Sequence, residues 1–184
     1  MQTSPNGILF LEDSESVVLT AYNDVGGVPT VGGGLTELSK AFRRLWRAEH
    51  GGRALRKGDK ITLGDARRYM KAVLADEFEP AAATLQAKEQ HVFDGEVSVL
   101  WNLGTGAAKW KWAQALKRGA IAEGCQLLLT TGITAAGRVY DGLKFRRARE
   151  AKLIQFGDYG RALGRKLAGV PKNITAISST EEEV

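Results

Sequence analysis

Residues 15–36 read ESVVLTAYNDVGGVPTVGGGLT. Glu15 closes a helical-looking segment; Asp24 follows after eight intervening residues and Thr30 after five more. Gly26, Gly27, Gly32, Gly33 and Gly34 lie around the last two. From Asp24 on, the apolar Val25, Val28, Val31 and Leu35 are separated by glycines, Pro29 and Thr30, a pattern that suits short strands joined by tight turns better than a helix. Such turns would hold Glu15, Asp24 and Thr30 around one small cleft.

Upstream, Ser4 and Pro5 read as an N-cap and a first helical proline. Ile8, Leu11, Ser14 and Glu15 then share one side of the helix, which places Glu15 near its C-terminal end. Burial there and the negative end of the helix dipole both disfavour a carboxylate, which suits an acid that must carry a proton. Glu12 also precedes the glycine turn, but only Glu15 has the right spacing to Asp24.

Downstream, residues 37–57 predict a basic amphipathic helix ended by Gly51 and Gly52. Leu38, Phe42, Leu45, Trp46 and Glu49 form its inward side and Lys40, Arg43, Arg44 and Arg47 the other. Either this is a surface helix with its aromatics in the core, or an arm for an anionic envelope surface. A second helix is expected over 63–78, capped by Thr62, with Ala66, Tyr69, Met70, Val73 and Leu74 inward and Pro80 allowing a fresh start. Residues 91–103 carry a wide stripe of Val92, Phe93, Val97, Leu100 and Trp101 and predict the central core helix. Shorter helices follow at 113–117 and 120–129, turns at Gly132, Gly137 and Gly142, and a last helix over 143–156, strongly basic on one side. The tail, 170–184, has few core residues and is expected to be mobile.

Hydrophobic residues make up 43% of the 184-residue chain and charged residues 26%, ordinary for a globular protein of one domain, expected over 1–169. The 26 Lys and Arg against 21 Asp and Glu leave +5, which fits an anionic partner or simply a solvated surface. No nucleic-acid-binding motif accompanies the charge. With a single cysteine, Cys125, set among leucines, a buried structural thiol is expected. Two histidines and no metal-ligand spacing give no support for a metal or cofactor. Residues 1–16 lack a basic region and a long apolar run, so neither a signal peptide nor a membrane anchor is expected, and cytoplasmic accumulation is.

The opening stretch resembles the catalytic signature of phage-type lysozymes, the endolysins of glycoside hydrolase family 24. Glu15, Tyr22, Asp24, Gly27, Thr30, Gly32 and Gly34 occupy the positions of that signature. Two further blocks agree in order: residues 93–110, FDGEVSVLWNLGTGAAKW, resemble the family's central helix, and residues 141–153, DGLKFRRAREAKL, its Gly-Leu, Arg-Arg, Glu helix. Gly33 and Leu35 stand where the family usually has an aromatic and a histidine, which would widen the cleft beside Thr30, and Ser16 replaces a glycine.

The resemblance implies an α+β, mostly α-helical, two-lobed lysozyme-like fold with a small sheet in the N-terminal lobe. It also implies a muramidase, without metal or cofactor, that cuts the β-1,4 bond between N-acetylmuramic acid and N-acetylglucosamine in peptidoglycan. Glycoside hydrolysis needs one acid for the leaving oxygen and a carboxylate on the opposite face. Glu15 suits the first role and Asp24, in a polar turn, the second. The resemblance implies that Thr30 holds the attacking water with Asp24, an inverting arrangement; the residues alone leave retaining chemistry open.

Thr36, Trp101 and Asn102 are candidate saccharide contacts, with core packing the alternative for Trp101. An arginine, Arg146 or Arg147, is implied as the partner of Glu15. A monomer acting on peptidoglycan, drawn to anionic outer-membrane surface and released by a separate holin, is the implied setting. The competing readings are a peptidoglycan-binding protein with impaired turnover and a membrane-disrupting protein acting through residues 38–57.

Overall fold

The computed structural model describes residues 1–135 and 137–160. The expected tail at 170–184, and the last residues of the expected domain, lie outside them. Helix α1 (Pro5–Ser14) begins where the sequence indicated: Ser4 Oγ accepts the Gly7 N–H at 3.0 Å and Pro5 sits in the first turn. The Ser4 hydroxyl and N–H both reach Asp94, which also accepts from Gln90 and Tyr159. These donors compensate the burial of Asp94 and tie the N-terminus to the middle of the molecule.

A three-stranded antiparallel sheet follows, β1 (Val18–Asn23), β2 (Pro29–Gly32) and β3 (Leu35–Thr36), in that order. The register pairs Tyr22 with Thr30 and Thr30 with Thr36, and a bulge interrupts β1 between Val18 and Tyr22. Gly32 and Gly34, with φ of +63° and +89°, make the reversal between β2 and β3 that a side chain would strain. The free edge of β1 is covered by the segment around Gly58–Ile61, whose backbone bonds to Leu19 and Ala21.

Helix α2 (Lys40–Glu49) is capped by Ser39 and puts Phe42 and Trp46 fully inside a small-lobe core with Val31, Leu35, Tyr69 and Val73. Phe42 meets Tyr69 edge-on at 5.3 Å. The apolar side of α2 is thus already used, which decides between its two readings: insertion into a surface would empty this core. Leu38 departs from expectation, since it lies before Ser39, outside the helix, and is 80% exposed. The basic side is partly paired, with Arg44 on Asp76 and Arg47 on Glu37.

Helix α3 (Leu63–Val73) opens on a reciprocal capping box between Thr62 and Asp65 and buries Ala66, Tyr69, Met70 and Val73. The expected single helix to residue 78 instead widens into a π turn over Leu74–Phe78 before α4 (Glu79–Ala83). Pro80 explains it. A proline cannot donate to the carbonyl four residues back and its ring presses on that carbonyl, so one wider turn, with the Glu79 N–H on the Leu74 carbonyl, relieves the conflict.

Helix α5 (Gln90–Leu103) is buried on nearly every side from Val92 to Leu100 and forms the axis of the large lobe. Around it pack α6 (Lys111–Lys117), α7 (Ile121–Leu128) and α8 (Asp141–Phe156). The turn expected at Gly132 precedes a short hairpin, β4 (Thr134–Ala135) with β5 (Arg138–Val139), and Gly137 lies between its two strands. Cys125 is buried and its thiol meets the Ala151 carbonyl; burial pushes the thiol up to about 11. Phe78 and Trp101, with rings 5.1 Å apart, pack against both cores and form the seam between the lobes. Among the described residues no helix is long and apolar enough to cross a membrane.

Candidate active site

Glu15 is the C-cap of α1, extended at φ −114° and ψ 141°, so the chain turns there from the large lobe into β1. Gly33 lies directly behind it: a Cβ on Gly33 would fall 3.5 Å from Glu15 Cβ and 3.0 Å from the Met70 methyl. The space an aromatic would take is therefore held by Met70, which is buried, and Leu35 points into the small-lobe core.

Arg146 of α8 donates from Nη1 to Glu15 Oε1 at 2.6 Å, both side chains being only partly exposed. This settles which arginine faces the acid. Arg147 is fully buried; it donates to Asn102 Oδ1 and lies 3.1 Å from Glu150 Oε2. Glu150 is also fully buried, and its Oε1 accepts from Ser98 Oγ at 2.8 Å and from Arg146 Nε at 3.2 Å. Burial pushes the Glu150 carboxyl up and the Arg147 guanidinium down, while each charge steadies the other. A guanidinium keeps its proton in proteins, so Arg147 stays charged.

On the sheet side, Val28 ties two of the candidates together. Its N–H donates to Asp24 Oδ1 at 2.8 Å and its carbonyl accepts the Thr30 hydroxyl at 2.9 Å. The Asp24 N–H closes the same turn onto Val28 O, and Gly27, at φ +78°, supplies the left-handed residue. Asp24 is exposed at the end of the sheet and Thr30 is buried in its central strand. Tyr22, Thr30 and Thr36 form one cross-strand row, so Thr36 is the neighbour of Thr30; its hydroxyl accepts the Leu38 N–H.

Trp101 and Asn102 end α5 nearby in sequence but differ in role. The Trp101 ring is partly buried in the seam against Phe78, and Asn102 Oδ1 is committed to Arg147. The large-lobe group is therefore Glu15, Arg146, Glu150, Arg147, Asn102 and Ser98, and the sheet group Tyr22, Asp24, Thr30 and Thr36.

Sequence reasoning gave no role at the site to Glu150 or Ser98, and placed Met70 only as an inward residue of α3. A signal for Glu150 existed: Leu143, Arg147, Glu150 and Ile154 fall on one helical stripe, and a charge on an apolar stripe indicates a buried ion pair. The same stripe separates buried Arg147 from Arg146. The one-sided basic face expected of α8 is accordingly absent, because Arg146, Arg147 and Arg149 all turn inward to acids. Among the described residues no cluster of potential metal ligands occurs.

Residues 12–150 match the family described as phage lysozyme. Among solved structures, an endolysin from Escherichia coli O157:H7 phage FAHEc1 is similar with a TM-score of 0.69 and 27% identity, covering 87% of this chain and 97% of that one. A P22 lysozyme mutant gives a TM-score of 0.68 at 27% identity over 84% of this chain and 98% of that one. The muramidase domain of SpmX from Asticaccaulis excentricus shares the fold, with a TM-score of 0.64 at 22% identity over 84% of this chain and 97% of that one. No curated protein sequence matches significantly.

Proposed function

The chain belongs to the phage lysozyme family, and we propose that it hydrolyses the β-1,4 bond between N-acetylmuramic acid and N-acetylglucosamine in peptidoglycan, with Glu15 as general acid. Asp24 is the carboxylate on the opposite face, and Thr30 positions the attacking water with it. The observation that carries this reading is the placement of Glu15: an acid at the junction of large lobe and sheet, backed by the Gly33 turn and held by Arg146.

In the reaction, Glu15 protonates the leaving glycosidic oxygen as the bond to the anomeric carbon breaks, and positive charge builds on the sugar ring. Asp24, exposed at the end of the sheet with Oδ1 held by the Val28 N–H, takes a proton from water as the water attacks that carbon. Thr30 accepts a hydrogen bond from the water while its own proton stays on the Val28 carbonyl. The outcome is inversion at the anomeric centre. Thr36, beside Thr30, and Trp101 and Asn102, at the end of α5, contact flanking saccharide units.

The setting that fits is a lysis cassette, in which the protein accumulates as a monomer in the cytoplasm and a holin gives it access to the wall. No metal or cofactor takes part in these steps.

The test is turbidity loss of purified peptidoglycan by wild type, Glu15→Gln and Asp24→Asn, each confirmed folded by circular dichroism. Loss of a general acid or base costs about 10²–10⁴-fold, so both variants should fall that far. Turnover at the wild-type level in Glu15→Gln would remove the acid assignment. The anomer first released, followed by NMR on soluble oligosaccharide, should be the inverted one, and a retained anomer would reassign Asp24 as nucleophile.

A further inference from the structure

Glu150 is a charged group in the interior, at the contact between α5 and α8. Replacing the whole buried pair of Glu150 and Arg147 by apolar residues of similar volume is often neutral or stabilising, so stability alone gives little reason for ions here. The Glu150 oxygens, however, face the two guanidinium groups of α8. Oε1 accepts from Arg146 Nε at 3.2 Å, and Oε2 stands 3.1 Å from Arg147 Nη1. Ser98, also fully buried, donates to Oε1 at 2.8 Å and so fixes the carboxylate against the central helix.

We propose that Glu150, held by Ser98, is a positioning residue that fixes the Arg146 guanidinium against Glu15. The inference rests on Glu15 being the catalytic acid, as argued above.

Arg146 carries the coupling through two different nitrogens: Nε is held by Glu150 and Nη1 is presented to Glu15 Oε1. Fixing Nε fixes the plane of the guanidinium, and with it the direction of the Nη1 bond to the acid. A long arginine side chain has many rotamers, and an arginine anchored only by the exposed-side acid would sample several of them. Glu150 also places a second negative charge on Arg146, so the guanidinium is shared between two carboxylates rather than given wholly to Glu15. Arg147 anchors the other side of Glu150 and extends the same chain to Asn102 at the end of α5.

The experiment measures kcat and KM on soluble peptidoglycan fragments for Glu150→Gln, Ser98→Ala and Arg146→Lys, and for the two doubles that combine the first two with Arg146→Lys. Glu150→Gln should lower kcat about tenfold or more with KM little changed, since small misplacements of a reacting group cost up to about a hundredfold. Ser98→Ala should lower kcat less and in the same sense, without a large change in melting temperature. In the Arg146→Lys background neither change should lower kcat further, because the group through which both act is already displaced.

Wild-type kcat in folded Glu150→Gln, or losses that multiply independently with that of Arg146→Lys, would overturn the proposal. Should Glu150→Gln fail to fold, Ser98→Ala decides alone, since it removes only a hydroxyl. Glu15→Gln is the control. If it is inactive while Glu150→Gln and Ser98→Ala match wild type, the positioning role fails and the acid assignment stands; if it keeps wild-type turnover, the acid assignment fails and the inference with it.

Discussion

Glu96 sits on α5, 1% exposed, with Oε2 buried and no hydrogen-bond partner among the described residues. Burial pushes its carboxyl up to about 8 from an ordinary 4.5. The folded protein therefore holds a proton that the unfolded chain gives up over that window, so stability from this group is full below pH 4.5 and is lost as pH rises through about 8. At roughly 1.4 kcal/mol per unit, the loss across the window is several kcal/mol. Glu96→Gln keeps the shape and removes the titration. Its melting temperature should exceed that of wild type at pH 8 and approach it at pH 4. An equal difference at both values would show that Glu96 is not the group responsible. Arg147 is the opposite case, an interior charge with a partner. Arg147→Met should leave Glu150 facing Arg146 alone and cost about 3–5 kcal/mol, the usual result of removing one member of a buried pair, read from urea unfolding.

Between elements, α5 and α8 approach each other closely. A Cβ on Gly95 would lie 2.4 Å from Ile154 Cγ1, with the Ile154 backbone nitrogen at 3.5 Å. Gly95→Ala should therefore destabilise by about 1–3 kcal/mol through overpacking, despite the better helix propensity of alanine. A melting temperature equal to or above wild type would mean that the two helices slide apart freely. On the small lobe, Ser39 caps α2 and also donates to Glu77, whose other donor is the Ala41 N–H. Glu77 is on the π turn created by Pro80, so the distortion delivers an acid to the N-terminus of α2, where backbone N–H groups are unpaired. Ser39→Ala should cost about 1–2 kcal/mol, measured by chemical denaturation. The cap of α1, the Thr62 cap of α3 and the apolar stripes of α3 and α5 were all legible, because each depends on residues within one or two turns. The π turn was not, since Pro80 announces a break without saying whether the helix stops or widens.

For the molecule as a whole, the net charge of +5 is spread over a chain whose arginines are largely engaged with acids, among them Arg67 with Glu12, Arg68 with Glu49 and Arg149 with Asp13. On the function proposed above, what remains would act at a distance, on approach to an anionic wall rather than on chemistry in the cleft. The rate of lysis of whole walls should fall as ionic strength rises from 0.01 to 0.15 M, where the screening length drops from about 30 Å to about 8 Å. Cleavage of small uncharged fragments should hardly change over the same range. Equal sensitivity of both substrates would place the charge effect in the cleft itself.

At this scale the boundary between sequence and structure becomes clear. By itself the sequence determined most of the helices, the glycine-rich sheet and the spacing of Glu15, Asp24 and Thr30, because periodicity, caps and turn residues act locally, while the two-lobed fold was implied by the resemblance to phage-type lysozymes. Only the tertiary structure decided that Arg146 rather than Arg147 meets Glu15, that Met70 fills the space behind Gly33, and that Val28 joins Asp24 to Thr30. Arg146 and Glu15 lie 131 residues apart in the chain. A contact of that kind is set by how α8 is rotated against α5 and α1, and the rotation is fixed by Gly95, Glu150 and the rest of the packed core acting together.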